Sequence, residues 1–457
     1  MAAPKLERLE GRVVPATTAT YLNAVLYLSG DGTNNDITVG RTATGAIVFS
    51  DAAGPIQAVN VGSPTVFNTA SVVVGGGLGN DVLQIDESNG AMPPVYLQGD
   101  DGNDTLSGGS GNDSLAGGTG NDVLLGQAGN DLVFAGAGDD YLDGGAGTDQ
   151  IAGEGGNDSL TGGGGNDIVY GGDGNDLADG GAEIDQVFGD AGNDSLFTTS
   201  GGDQLNDGDG DDVIGGSGEA DFLGGGLGND WIAAGAGDDT LRGGFGVDTL
   251  FGEAGDDLMS GGGGDYLDGG DGNDGMYLPR HFDGVTTVDS LAGGAGNDTI
   301  STELVNQLSN ELIDGGAGND LIIAAGGDDS VLGGDGDDYL DGGIGNDALD
   351  GGTGNDSIAA GDGDDLVNGG VGDDFLFGNL GDDYLAGGDG ADTLGGEDGN
   401  DTLVGDAGTD RLIGGPGNDH LNGSAEADTV LAIDGEVDTA VNDAADLFNL
   451  DAIDLLI

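Results

Sequence analysis

From Asp104 onward an aspartate returns every nine residues, through Asp113, Asp122, Asp131, Asp140, Asp149, Asp158, Asp167, Asp176, Asp185 and Asp194, and on in phase to Asp257. A second series keeps the same step from Asp320 to Asp428. A fixed period of this length makes the chain a stack of units, each burying its apolar side chains against its neighbours. Around each aspartate the sequence reads Gly-Gly-x-Gly-(Asn/Asp)-Asp-x-apolar-x, as in Gly117-Gly118-Thr119-Gly120-Asn121-Asp122-Val123-Leu124-Leu125. The apolar position falls two residues after the aspartate, at Leu106, Leu115, Leu124, Val133, Leu142, Ile151 and Leu160, and later at Val331, Leu340, Leu349 and Ile358. One apolar side chain in nine residues is too sparse for a helix stripe and predicts a three-residue strand that turns one side chain inward. The glycines, which allow positive φ and close backbone approach, read as tight turns.

Strand, turn, strand and turn make an 18-residue coil with two strands. Successive coils then stack in parallel at about 4.8 Å, giving an all-β solenoid. That stacking lines the aspartates up along each edge. Unpaired, such a ladder repels itself by roughly 1 kcal/mol per neighbouring pair even in water. The bland alternative, aspartates serving only as turn formers, leaves that repulsion unanswered. The chain has 86 Asp plus Glu against 7 Lys plus Arg, for a formal charge of -79. Its basic residues (Lys5, Arg8, Arg12, Arg41, Arg242, Arg280 and Arg411) cannot neutralise the acidic ones, so bound cations are the natural counter-charge. A hard cation such as calcium takes about six to eight oxygens, and each turn offers a carboxylate and several exposed glycine carbonyls. The same charge excludes nucleic acid and disfavours anionic membranes, and no apolar run approaches a spanning helix. Without cysteine, neither disulfides nor thiolate metal sites can hold the fold.

The pattern resembles the RTX, or hemolysin-type, calcium-binding nonapeptide repeat, and the resemblance covers nearly everything from Gly76 to Asp428. It implies an all-β, right-handed parallel β-roll (a β-solenoid), two strands per 18-residue coil. It also implies multiple Ca2+ ions, each held between the turns of repeats n and n+2 by the repeat aspartate and turn carbonyls. Carried onto this sequence, the implied ligands begin with Asp81, Asp104, Asp113, Asp122, Asp131, Asp140, Asp149, Asp158, Asp167, Asp176, Asp194, Asp212, Asp230, Asp239, Asp248, Asp257, Asp265, Asp274 and Asp298. They continue with Asp320, Asp329, Asp338, Asp347, Asp356, Asp365, Asp374, Asp383, Asp392, Asp401, Asp410 and Asp419. Asp185, Asp203, Asp221 and Asp428 are doubtful, because Glu183, Thr198-Thr199-Ser200, Glu219-Ala220 and Ser424-Ala425-Glu426 disturb their glycine turns. If every repeat pair binds, the sites number on the order of 25 to 30 and offset most of the negative charge. Without calcium the chain should be largely disordered, since one apolar residue per repeat cannot offset backbone ordering at about 1 to 2 kcal/mol per residue.

Departures from the period divide the chain. Residues 1–16 form a targeting-like N-terminal motif, and 17–75, where strand-like alternation such as Ala46-Ile47-Val48-Phe49 replaces the glycine turns, a β-rich cap for the first coil. Residues 76–274 are a first β-roll array, 275–319 an irregular joint with one repeat, 320–428 a second array, and 429–457 a C-terminal cap. In the joint, Met276, Tyr277, Pro279, Arg280, His281 and Phe282 interrupt the repeat, and Leu304, Leu308 and Leu312 at helical spacing predict a short helix or an outward loop. The ending Asp454-Leu455-Leu456-Ile457 resembles the terminus of substrates of one-step ABC exporters, which implies type I secretion beside the plainer role of a cap. Leu6-Glu7-Arg8-Leu9-Glu10-Gly11-Arg12 is similar to a short N-terminal motif of surface proteins from planctomycete-type bacteria. Together these imply a bacterial protein that is secreted, extracellular or on the cell surface.

The function expected is calcium binding by a secreted structural or cell-surface component. The alternative is an adhesin or matrix-assembly protein, with the joint or Trp231 as contact. No enzyme is expected: the nonrepeat part is small, His281 and His420 are too far apart in sequence for a zinc-protease motif, and no nucleophile elbow occurs. Both histidines read as loop or exposed strand residues, and Trp231 as an outward packing residue. A cytolysin would need a long apolar segment and modifiable lysines, and Lys5 is the sole lysine.

Overall fold

The computed structural model describes residues 18–22, 25–30, 33–44, 46–51, 54–56, 69–278, 288–302, 309–424, 426–432, 437–441, 447–450 and 455–456. The N-terminal motif, the 279–282 stretch with His281, the candidate helical residues Leu304 and Leu308, and the terminal Asp454 and Ile457 lie outside the described residues. Every element is a β-strand, and no helix occurs among the described residues. The chain forms two compact units, Met1–Leu227 and Gly228–Ile457.

In the first unit, Ser114–Thr119 pairs in parallel with Leu132–Ala137 in one sheet, and Val123–Ala128 pairs in parallel with Tyr141–Ala146 in the other. Leu115 faces Val133 and Leu124 faces Leu142, so each residue pairs with its equivalent one coil later. This is a parallel β-solenoid with two strands per coil. The repeat apolar residues form its core: Leu106, Leu115, Leu124 and Leu142 are completely buried.

Most strands run six residues rather than three, because the ladder resumes at the second glycine, Gly118 pairing with Gly136 and Thr119 with Ala137, before the chain turns. Along Ser114–Thr119 the burial alternates so that Leu115 and Gly117 both face inward. The inward glycine has no side chain to spare room for. A Cβ on Gly117 would stand 2.3 Å from Asp122 Oδ2 and 2.6 Å from the Ala135 carbonyl oxygen. The second glycine makes the corner, with Gly118 at φ 122 and its hypothetical Cβ 2.0 Å from the Asp100 carbonyl oxygen. Some strands stop at three residues, as Ser195–Phe197 does before Thr198-Thr199-Ser200 and Arg411–Ile413 does before Gly414-Gly415.

At the start of the unit, Thr18–Leu22 pairs antiparallel with Val25–Ser29, and Asp36–Arg41 with Ile47–Asp51. Val25–Ser29 and Asp36–Arg41 then pair in parallel with Ser71–Leu78 and Val82–Asp86, the two strands of the first coil.

The second unit repeats the scheme and absorbs the irregular stretch. Leu250 faces Leu267, Leu267 faces Leu291 and Leu291 faces Ile313, although the sequence steps are unequal. Met276, grouped with the interruption by sequence, lies in the Gly275–Tyr277 strand, is completely buried, and faces Met259 on one side and Ile300 on the other. Insertions therefore fall between strands and leave the inward lane intact. Trp231 does face outward, with its ring 5.9 Å from Phe251, which in turn lies 5.7 Å from Tyr266. At the C-terminal end Leu447–Leu450 pairs with Thr429–Ala432, and Leu455–Leu456 with the Thr439–Val441 strand.

Candidate metal centre

The aspartate that ends each turn is held by its backbone on both sides. The N–H of Asp104 donates to Asp122 Oδ1 at 2.7 Å, and the Asp104 carbonyl accepts the N–H of Val123 at 2.9 Å. The same bond joins Asp113 to Asp131, Asp131 to Asp149 and Asp149 to Asp167, each 18 residues on. The preceding residue repeats it in solvent, the Asn121 N–H donating to Asn103 Oδ1 at 3.2 Å. That second ladder explains why the position takes Asn or Asp.

Stacking buries the carboxylates: Asp104, Asp113, Asp122, Asp131 and Asp149 are at most 3% exposed. Their Oδ1 atoms accept backbone N–H groups, but their Oδ2 atoms are buried with no hydrogen-bond partner among the described residues. In the second unit Asp338, Asp356, Asp374 and Asp392 repeat this state. Each Oδ2 converges with a carbonyl from the next coil. The point where Gly126 would carry a Cβ is 2.6 Å from Asp131 Oδ2 and 2.6 Å from the Gly144 oxygen. The corresponding point at Gly369 is 2.5 Å from Asp374 Oδ2 and 2.6 Å from the Gly387 oxygen.

Burial pushes Asp113, Asp122, Asp158 and Asp167 up to about 7, with backbone N–H bonds opposing and neighbouring carboxylates adding to the rise. Asp257, Asp298, Asp347 and Asp356 reach about 7 for the same reasons. The basic side chains of the described residues offer no relief inside. Arg41 donates to the Asn89 and Ala91 carbonyls, while Arg242, Arg411 and His420 sit at exposed strand positions. Buried carboxylate oxygens without donors are costly unless a cation completes them. A donor set of carboxylates and backbone carbonyls suits a hard divalent ion, with calcium the better match because it tolerates irregular, all-oxygen shells.

The family model for the RTX calcium-binding nonapeptide repeat matches successive segments between residues 96 and 430. The chain belongs to this RTX repeat family. RTX repeats bind calcium, and the donor set of this chain fits that ion. No curated protein matches the chain.

All the aspartates that the RTX resemblance nominated, from Asp81 to Asp419, are buried. The four doubtful positions stand there too: Asp185, Asp203, Asp221 and Asp428 present Oδ1 to the N–H groups of Asp167, Asp185, Asp203 and Asp410. In two of these altered turns a residue other than glycine takes positive φ, Glu183 at φ 76 and Ser424 at φ 78.

Four further acidic residues are buried: Asp289, Glu311 and Asp438 along the same edges, and Asp207 at a first-glycine position within its strand. Asp289 accepts the N–H of Asp265, and Asp438 accepts that of Asp419. Glu311 takes an aspartate's place, its N–H donating to Asp329 Oδ1 at 2.7 Å. Burial first, then hydrogen bonding with Asp329, pushes its carboxyl up to about 9, against the Ser309 hydroxyl that donates to it. Asp289 and Glu311 each precede a nominated aspartate by nine residues, so the period itself could have found them. Asp438 is one residue out of phase, and Asp207 stands at a glycine position that the period does not mark.

Proposed function

We propose that this RTX chain is an exported bacterial protein that folds when calcium fills its aspartate ladders, and that it serves as an extracellular or cell-surface structural component. The observation that carries the reading is the row of buried Oδ2 atoms with no donor, as at Asp104, Asp113, Asp122 and Asp131. The aspartates nominated from Asp81 to Asp419 would hold calcium through Oδ2 together with turn carbonyls, and calcium would supply the positive charge that the chain lacks. The core adds only about one large apolar side chain per repeat, against ordering of about 1 to 2 kcal/mol per residue. Ion binding therefore becomes folding free energy. A chain of this kind would stay unfolded for export at low cytosolic calcium, and would fold outside, where modules of this sort bind at about 10⁻⁴ to 10⁻³ M. The paired strands Thr18–Ser29 and Asp36–Asp51 would cap the first coil. An ABC-type exporter, and surface or matrix components, are the partners this route implies.

Far-UV circular dichroism of the full chain during a calcium titration, with magnesium as control, tests the reading. A cooperative, calcium-specific rise of β structure is expected. A chain already folded in chelator, or one that responds equally to magnesium, overturns it.

A further inference from the structure

The inward lane that holds the first glycine of each repeat tolerates little bulk, and Ala135, Ala234 and Ala360 are among its buried occupants. In the Gln204–Asp209 strand this position is Asp207, only 2% exposed. Its side chain reaches back toward the preceding coil. A Cβ on Gly189 would stand 2.1 Å from Asp207 Oδ1 and 2.7 Å from Asp194 Oδ2. Carboxylate oxygens of Asp194, Asp207 and Asp212 all lie within 4.8 Å of one another, and all three residues are buried.

A second observation points to a ligand there. Asp194 Oδ1 accepts the Asp176 N–H at 2.7 Å, but Oδ2, buried and turned toward Asp207, has no hydrogen-bond donor among the described residues unless Asp207 itself carries a proton. Three carboxylates in one buried space leave two ways to relieve the repulsion: a proton shared between Asp194 and Asp207, or a cation bound by all three.

We propose that Asp207 turns the space between the Asp194 and Asp212 turns into a tricarboxylate cation site that holds calcium more tightly than the rest of the ladder. The proposal rests on the calcium reading above and adds a ligand from a position where the repeat has glycine. Affinity in oxygen-ligand sites rises with the number of carboxylates, so a third one should set this site apart by at least about tenfold. It would fill first as calcium rises and give the neighbouring coils a fixed edge on which to stack, since solenoid folding spreads from any formed repeat.

The test is metal content of the full chain after dialysis against graded calcium buffers, for wild type, Asp207→Gly and Asp207→Asn. Asp207→Gly restores the repeat residue and should still fold in saturating calcium, which circular dichroism checks. Wild type is expected to keep about one ion per chain at free calcium at least tenfold below that which empties the others. Both variants should lose that tight ion and keep the bulk uptake. A tight ion retained in Asp207→Gly overturns the proposal, as does an ion gained by that variant, which would mean Asp207 fills the space with a shared proton. Wild type that binds no calcium at all sinks the ladder reading itself, an outcome distinct from loss of the tight class alone.

Discussion

The N–H of Asp122 donates to Asp140 Oδ1 at 2.6 Å, so the carboxylate of each coil is fixed by the backbone of the coil before it. One oxygen is thereby spent on the protein and the other is left for an ion. The two roles can be separated at a single residue. Asp122→Asn retains an Oδ1 that can accept the Asp104 N–H but removes the charge. Asp122→Ala removes both, and leaves that buried N–H unsatisfied at about 1 to 3 kcal/mol. Calcium midpoints read by circular dichroism should rise from wild type to Asp122→Asn and further to Asp122→Ala. Equal midpoints for the two variants would refute a separate structural role for Oδ1.

Acid should partly replace calcium. Burial pushes Asp113 and Asp122 up to about 7 from an ordinary value of 3.8. The folded, metal-free form therefore binds protons more tightly than the unfolded chain. The stabilisation is fully present below the unfolded value near 3.8 and is lost as pH rises through about 7. In chelator, β structure should appear on acidification toward pH 4 and vanish above about pH 7. With calcium present, the calcium bound per folded chain should fall as pH drops from about 7 to 5, because protons compete for the same oxygens. Dichroism in chelator and metal content in calcium, each across a pH series, check both signs.

Two glycines of the first unit should respond oppositely to alanine. Gly129 has φ 135, and its hypothetical Cβ would stand 1.7 Å from the Gly111 carbonyl oxygen. Gly164 has nothing within 4 Å of that point. Gly129→Ala should cost about 2 kcal/mol or more, through strain and a forced separation of coils. Gly164→Ala should stay within about 0.5 kcal/mol of wild type. Urea unfolding of the calcium-loaded chain measures both.

Periodicity made the solenoid and the aspartate ladders within each unit legible in the sequence, because one residue type at one spacing fixes both the inward lane and the metal edge. Strand length was less legible: Gly117 and its equivalents lie within the strand and face inward like any core residue, although glycine reads locally as a turn. Glu311 is in phase but breaks the run of aspartates, and its backbone N–H still donates to Asp329 Oδ1 as a ladder aspartate's would. Asp207 carried no periodic signal, since its contribution depends on the coil before it, and that proximity exists only once the sheet has stacked.

Met276 shows where a broken period misled, and it offers a sharp test. By sequence it opens an interruption, yet it is completely buried between Met259 and Ile300, while the adjoining Tyr277 is 41% exposed. The inward lane needs an apolar side chain at this height, whatever follows in the loop. Met276→Ala should therefore cost about 2 to 5 kcal/mol, the range for truncating a large buried side chain. Tyr277→Ala, on the outer face, should cost well under that. Because a solenoid unfolds in nearest-neighbour steps, the loss should be concentrated in the coils around 259–300, and amide exchange should quicken there first. Comparable exchange rates in both variants would mean that the lane is not continuous through this stretch.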